Sequence, residues 1–324
     1  MIDYLSGQYN LFIISILSAF VLAIVIGPIL IPVLHRLKFG QNVRNDGPQS
    51  HLKKTGTPAM GGLIFLAAAT IVALVFSHDK DMVLVLLSTL LFGLIGFADD
   101  YIKIVKKRSL GLRAWQKIVA QLAVALFLTY VSSGINQVGT SILIPFTGKF
   151  LDLGIFYTPF ILVFIVGFVN SVNLTDGLDG LAGGVTVVVL GFFSVVALVT
   201  KNLGILVFCG ALIGALLGFL RFNSHPAQVF MGDTGSLALG GAVVSLAVVT
   251  KLPIFFFIIG AVYAAEAASV MIQVFYFKAT KGRRFFKMAP LHHHFELSGW
   301  AESKVVSVFT ITAIILCLIG LLAI

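Results

Sequence analysis

The sequence predicts an all-α polytopic membrane protein, about ten transmembrane helices in a single domain spanning 1–324, and three observations carry that expectation. Of the 324 residues, 59% are hydrophobic and only 11% charged, where soluble domains carry about 25% charged residues. Mean hydropathy is +1.06. Apolar runs of about 20 residues, the length a helix needs to cross a bilayer, recur from Leu11 onward.

Taken in order, the expected spans lie near 11–34, 61–76, 82–98, 114–133, 154–170, 182–200, 204–220, 236–250, 252–277 and 304–324. The opening MIDYLSGQYN has no Lys or Arg ahead of its apolar stretch, so it lacks the basic region of a signal peptide. The first run is therefore expected as a retained span. Between the fourth and fifth spans, SGINQVGTSILIPFTGKFLD alternates in polarity and carries turn residues, which predicts a small external β-hairpin within 134–153. Cys209 and Cys317 sit inside apolar runs and read as small packed hydrophobes, without disulfide or zinc spacing.

Ten spans divide the connections into two sets. One holds 35–60, 99–113, 171–181, 221–235 and 278–303; the other holds the N-terminus, 77–81, 134–153, 201–203, Lys251 and the C-terminus. With the span-edge Lys117 and Lys304, the first set carries 18 of the 22 basic residues and the second only 4. Basic residues collect in cytoplasmic loops, which places the first set in the cytoplasm and both termini outside. The same asymmetry accounts for the net charge of +9 without nucleic acid, and no basic, aromatic-interleaved nucleic-acid module is present.

The acids sort with the bases. Asp99, Asp100, Asp176, Asp179 and Asp233 all fall in the basic set, as do His292, His293 and His294. In FADDYIK, the adjacent Asp99 and Asp100 end an apolar run, where two carboxylates at a membrane edge are costly unless they serve a divalent metal, a basic group or a shared proton. In NSVNLTDGLDGLAGG, Asp176 and Asp179 are spaced to share one face of a helical turn, with Asn173 one step back on that face. The surrounding glycines permit a sharp turn or the close approach of a ligand.

In FNSHPAQVFMGDTGS, Asp233 stands just before a helix whose N-terminus suits phosphate, and a carboxylate there implies shared Mg²⁺. A plain N-cap is the bland alternative. In MAPLHHHFELSGW, three consecutive histidines would diverge by about 100° each on a helix. They read better as a loop that grips phosphate oxygens or exchanges protons. Lys54 precedes a Gly-Thr-Pro turn, where it is either a phosphate contact or a positive-inside residue. Glu266 is an intramembrane acid for which partner pairing or a helix break outranks catalysis.

The ordered set GTPxMGG, FADD, NLTDGLDGLAGG, FMGDTGS and PLHHHFE resembles the phospho-N-acetylmuramoyl-pentapeptide transferases, a branch of the polyprenyl-phosphate N-acetylhexosamine-1-phosphate transferases. The motifs run from Thr57 to Glu296, and the ten-span layout extends the likeness over nearly the whole chain. The resemblance implies transfer of phospho-MurNAc-pentapeptide from UDP-MurNAc-pentapeptide to undecaprenyl phosphate, giving lipid I and UMP in peptidoglycan synthesis. It places the enzyme in a bacterial cytoplasmic membrane among membrane lipids, with its cleft on the cytoplasmic face.

It further implies that Asp233 binds a catalytic Mg²⁺, with Asp99 and Asp100 beside it where the lipid phosphate meets the diphosphate. Asn173, Asp176 and Asp179 are then expected at the nucleotide end, Gly177 and Leu178 in the uridine pocket, and Phe230 stacked on uracil. Asn223, Gln273 and His292 to His294 line the cleft, and Lys54 and Lys117 bind substrate. Ala59 stands where some relatives carry Thr, removing a hydroxyl contact. Family members are often homodimers. Two other readings compete: a sister transferase using UDP-GlcNAc, and a secondary transporter. Acids gathered at one face, with only Glu266 inside a span, count against transport.

Overall fold

A computed structural model describes residues 2–36, 56–106, 111–135 and 139–324. Lys54 lies outside the described residues.

Long helices build the molecule, and each expected span has a counterpart. They are α1 (Ile2–Arg36), α2 (Gly62–Phe76), α3 (Lys80–Val105), α4 (Ala114–Tyr130), α5 (Tyr157–Thr175), α6 (Leu181–Val199), α7 (Leu203–Asn223) and α8 (Gly232–Val249). A four-residue helix α9 (Phe256–Ile259), α10 (Ala261–Ala279), the short α11 (Leu291–Glu296) and α12 (Glu302–Leu322) follow. Among the described residues, eight helices are long and apolar enough to cross a membrane. The 15-residue α2 and α10, which carries Glu266, Gln273 and Lys278, fall outside that set.

Two expected boundaries shift in ways that matter. First, α3 does not stop where its apolar run ends but continues through FADDYIKIV. Asp99 and Asp100 are therefore helical residues rather than the start of a loop, held inside by partners described below. Second, the single span expected over 252–277 breaks at Gly260 between α9 and α10.

Burial is graded from centre to rim. α8 is 94% buried and α7 83% over their most apolar stretches, whereas α1 and α12 are only 22% buried and present Ile29, Ile311 and Ile315 outward. α8 packs most extensively on α3, and the contact is backbone to backbone. A Cβ placed on Gly96 would lie 2.0 Å from the Asp233 carbonyl oxygen; α2 approaches as closely, a Cβ on its Gly62 lying 2.4 Å from the Gly235 Cα. Only glycine allows that approach.

The expected hairpin is present. β1 (Ser141–Leu143) pairs antiparallel with β2 (Phe150–Asp152), Ser141 opposite Asp152. Leu143 N–H donates to the Lys251 carbonyl (2.9 Å) and Phe146 N–H to that of Ala323 (2.7 Å). These bonds fix the hairpin at the end of the bundle where α8 and α12 finish. Asp233 opens α8 at the other end, about 27 Å away at 1.5 Å per residue.

Candidate active site

Three carboxylates meet where α3 runs beside the start of α8. Oxygens of Asp99, Asp100 and Asp233 all lie within 4.8 Å of one another, although Asp99 and Asp100 are only 3% and 4% exposed. Like charges this close, out of water, need cations. Lys103, one turn after Asp99, supplies one: its Nζ is 2.7 Å from Asp99 Oδ2, 2.9 Å from Asp233 Oδ2 and 3.6 Å from Asp100 Oδ1. Lys117, near the start of α4, supplies the other, 2.9 Å from the same Asp233 oxygen. Three carboxylates thus face two ammonium groups.

The carboxylates divide their work. Asp100 caps α8 from a neighbouring helix: its Oδ1 accepts the Asp233 N–H (3.2 Å), and its Oδ2 accepts the Thr234 N–H (2.9 Å) and hydroxyl (2.7 Å). A carboxylate facing free amides at a helix start is favoured by hydrogen bonding and by the dipole. Gly232 makes room for it, with a left-handed φ of +69° and a Cβ position 2.6 Å from Asp100 Oδ2. Asp233 therefore sits in the first turn of α8 and is not its N-cap, because Asp100 satisfies those amides. Its Oδ1 accepts from Asn173 Nδ2 (3.0 Å), which also donates to Ser236 Oγ (2.7 Å). Asp99 Oδ1 accepts the Leu112 N–H (2.8 Å), drawing the chain before α4 onto the site.

The GTPxMGG motif lies under this cluster. Phe230 N–H donates to the Pro58 carbonyl (2.8 Å), Gly61 N–H to that of Phe230 (2.8 Å), and Gly62 N–H to that of Met231 (3.0 Å). The strand-like bridge fixes Phe230 and the turn leading to Asp233.

The NLTDGLDG segment does not continue as a helix. α5 ends at Thr175, and Asp176 to Gly180 form a turn, so Asn173, Asp176 and Asp179 do not share one helical face. Asn173 faces Asp233. Asp176 keeps the carboxylate cluster within electrostatic range: desolvation, then the negative charges of Asp233, Asp100 and Asp179, push it well above the usual carboxylate range. Asp179 turns the other way, accepting from the Ala227 N–H (3.0 Å). Leu178 is buried. Asn223 accepts from Gly180 N–H (3.1 Å) and donates to the Val229 carbonyl (2.9 Å), joining this turn to the one before Phe230.

The histidines are on a helix, α11, rather than in a loop, and they diverge as helical geometry requires. His292 is buried, its Nδ1 3.2 Å from Glu266 Oε2 on α10. A Cβ on Gly177 would stand 2.1 Å from His292 Nε2, so the turn of Asp176 to Gly180 lies directly against this ring. His293 Nδ1 is 2.9 Å from Glu296 Oε2. His294 Nδ1 accepts the Lys287 N–H (3.1 Å). Gln273 does not meet them: its amide is occupied by the backbone of Phe285 and Phe286.

Comparison with known proteins gives this constellation a context. Residues 82–251, more than half the chain, match the family model described as glycosyl transferase family 4. The chain is 54% identical over 312 residues to the phospho-N-acetylmuramoyl-pentapeptide-transferase of Clostridium botulinum (strain Alaska E43 / Type E3), covering 95% of each. It is 53% identical over 311 residues to that of Clostridium kluyveri (95% of this chain, 98% of the relative). With that of Thermoanaerobacter sp. (strain X514) it shares 54% identity over 304 residues (94% and 95%). The chain belongs to the phospho-N-acetylmuramoyl-pentapeptide-transferase family.

In this membrane-embedded transferase, three residues that the sequence motifs do not single out carry much of the site. Lys103 was counted only as a positive-inside charge, yet its spacing from Asp99 and Asp100 puts it on their helical face once α3 is known to continue. Thr234 and Ser236, which follow Asp233 in its motif, are hydrogen-bond partners of Asp100 and Asn173. Glu266, for which partner pairing is the expectation, meets His292. Its partner lies 26 residues further on, beyond any local spacing rule.

Proposed function

We propose that this transferase moves phospho-MurNAc-pentapeptide from UDP-MurNAc-pentapeptide to undecaprenyl phosphate, releasing UMP and forming lipid I, on the cytoplasmic face of a bacterial membrane. The observation that carries this reading is the convergence of Asp99, Asp100 and Asp233 with Lys103 and Lys117 on one spot. Two anionic substrates must meet there, so the spot needs both cationic groups and hard oxygen donors.

The donor set fits Mg²⁺: hard carboxylate oxygens in close convergence. Asp233 is the proposed ligand, with oxygens of Asp99 and Asp100 in reach. Bound there, Mg²⁺ supplies charge neutralisation on the diphosphate. Lys103 and Lys117 are placed to pair with phosphate oxygens in exchange for their present carboxylate contacts. Asp99 takes the proton of the lipid phosphate. The lipid oxygen then bonds to the β-phosphorus as the bond from that phosphorus to the bridging oxygen breaks, and UMP leaves. The turn from Asp176 to Asp179 and the side chain of Phe230 hold the nucleotide end, and His292, against Gly177, borders it. The basic loops on this side of the bundle support its cytoplasmic orientation.

The test is UMP release by the purified protein in detergent with undecaprenyl phosphate, Mg²⁺ and either UDP-MurNAc-pentapeptide or UDP-GlcNAc. Release with the muramoyl substrate alone is expected. Release only with UDP-GlcNAc would move the protein to the sister activity, and silence with both would overturn the transferase reading.

A further inference from the structure

Two turns border the proposed nucleotide end, 176–180 and 224–230, and they come from distant parts of the chain. Asn223 joins them on the inside. On the outside they are joined again, through a residue of a third element. Glu302, in the first turn of α12, accepts the Asp179 N–H on Oε1 (2.7 Å). Its Oε2 lies 3.3 Å from His225 Nδ1, and that nitrogen is 3.2 Å from Asp179 Oδ2. Asp179 Oδ2 in turn accepts the Ala227 N–H (3.0 Å).

A carboxylate in the first turn of a helix is ordinarily explained by its own helix dipole. That does not account for Glu302, whose two oxygens both point away to other elements and whose side chain is only 8% exposed. Nor are two carboxylates stable together without a donor between them. His225 Nδ1 lies between them, within reach of both. The ring is half exposed while the carboxylates it joins are not: the side chains are 49%, 2% and 8% exposed for His225, Asp179 and Glu302.

We propose that Glu302 and His225 are positioning residues that set the distance between the two nucleotide-bearing turns and thereby tie α12 to nucleotide affinity. The inference rests on the reading of Gly177, Leu178, Asp179 and Phe230 as the uridine end. Neither residue reaches the Asp99–Asp100–Asp233 cluster, so their loss acts on the nucleotide substrate and leaves the reacting groups in place.

The experiment compares wild type, Glu302→Ala, Glu302→Gln and His225→Ala in full-length detergent-solubilised protein, by calorimetric UMP binding and by KM and kcat for each substrate. Glu302→Ala is expected to weaken UMP binding and raise the KM for the UDP substrate about tenfold. The kcat and the KM for the lipid acceptor stay within about twofold of wild type. Glu302→Gln keeps an acceptor for the Asp179 N–H and recovers most of the affinity, which general loosening of the fold would not permit. His225→Ala, at a half-exposed site, gives the same split should Glu302→Ala fail to fold. Wild-type UMP binding with equal affinity in Glu302→Ala and His225→Ala would overturn the positioning role alone. Wild type that turns over the UDP substrate yet shows no affinity for UMP would overturn the uridine-end reading beneath it.

Discussion

Glu266 reaches inward from α10 to within 3.2 Å of His292 Nδ1 on α11, and both side chains are sealed from solvent. The contact has the distance of an ion pair but not the alignment of a hydrogen bond, and the polar atoms of both groups are without a hydrogen-bond partner among the described residues. Close on the other side of the ring is Gly177. The pair thus links a membrane helix to the turn at the proposed nucleotide end.

Removing one partner strands the other in an apolar interior. Glu266→Leu and His292→Leu are each expected to cost about 3 kcal/mol, and the double replacement less than the sum. Thermal unfolding of the four proteins measures the coupling, and additive losses would refute it. Both variants lacking His292 are expected to be impaired in turnover.

Asp233→Asn keeps the side-chain shape and an acceptor for Asn173 but removes the charge that Lys103 and Lys117 share. Turnover is expected to fall by roughly 10³ at saturating Mg²⁺ while the fold persists. UMP release and a melting curve on the same preparation check both halves.

Mg²⁺ is expected to restore UMP release to chelator-treated protein and, without substrates, to raise its melting temperature by binding the folded state. Asp233→Asn should lose most of that thermal shift. A wild-type melting temperature indifferent to Mg²⁺ would count against a resident site among these carboxylates.

Gly96→Ala drives a methyl group into the Asp233 carbonyl. The variant is expected to lose about 1–3 kcal/mol of stability, with activity falling too because the displaced backbone is the one that presents Asp233. Gly167, on α5 with nothing within 4 Å of its Cβ position, is the control. Gly167→Ala should be neutral or slightly stabilising. Equal melting temperatures for the two would contradict the close packing of α3 on α8.

Asp176 titrates above the ordinary carboxylate range because of desolvation and its acidic neighbours. Its folded pKa thus exceeds the unfolded value of about 3.9. The stability it contributes is fully present below that value and is lost as pH rises through the folded one. In Mg²⁺-free buffer, Asp176→Asn is therefore expected to melt higher than wild type at neutral pH, with the difference vanishing in acid, while nucleotide affinity declines. A pH-independent difference would refute the assignment.

Much of the architecture was legible because the bilayer imposes it. Apolar runs located each long helix, and alternation with turn residues located the hairpin around β1 and β2. The site was legible to the extent that its members were chemically conspicuous. Asp99, Asp100 and Asp233 stood out as acids among apolar runs, and they do converge. Lys103 was hidden by the assumption that a helix ends with its hydrophobicity, whereas α3 continues because its own acids and lysine satisfy each other. The turn of Asp176 to Gly180 falls in the connection expected over 171–181, as its glycines permit, but the spacing of its acids suits a helical face equally well and that face does not form. Here Gly180, at φ +80°, starts α6 instead. The meetings of Glu302 with Asp179 and of Glu266 with His292 are tertiary, and no local periodicity encodes them.

The burial gradient across the bundle has a mechanical consequence. α8, which presents Asp233, is 94% buried, whereas α1 and α12 meet the surroundings with most of their surface. A thicker or thinner bilayer acts on the lipid-facing helices first, through tilt or local stretching of the acyl chains. α8 is suspended inside, gripped by α3 along a seam too tight for a methyl group. Hydrophobic mismatch at the rim therefore reaches Asp233 only through the helices around α8, and α12, joined to Asp179 through Glu302, offers a second path toward the site.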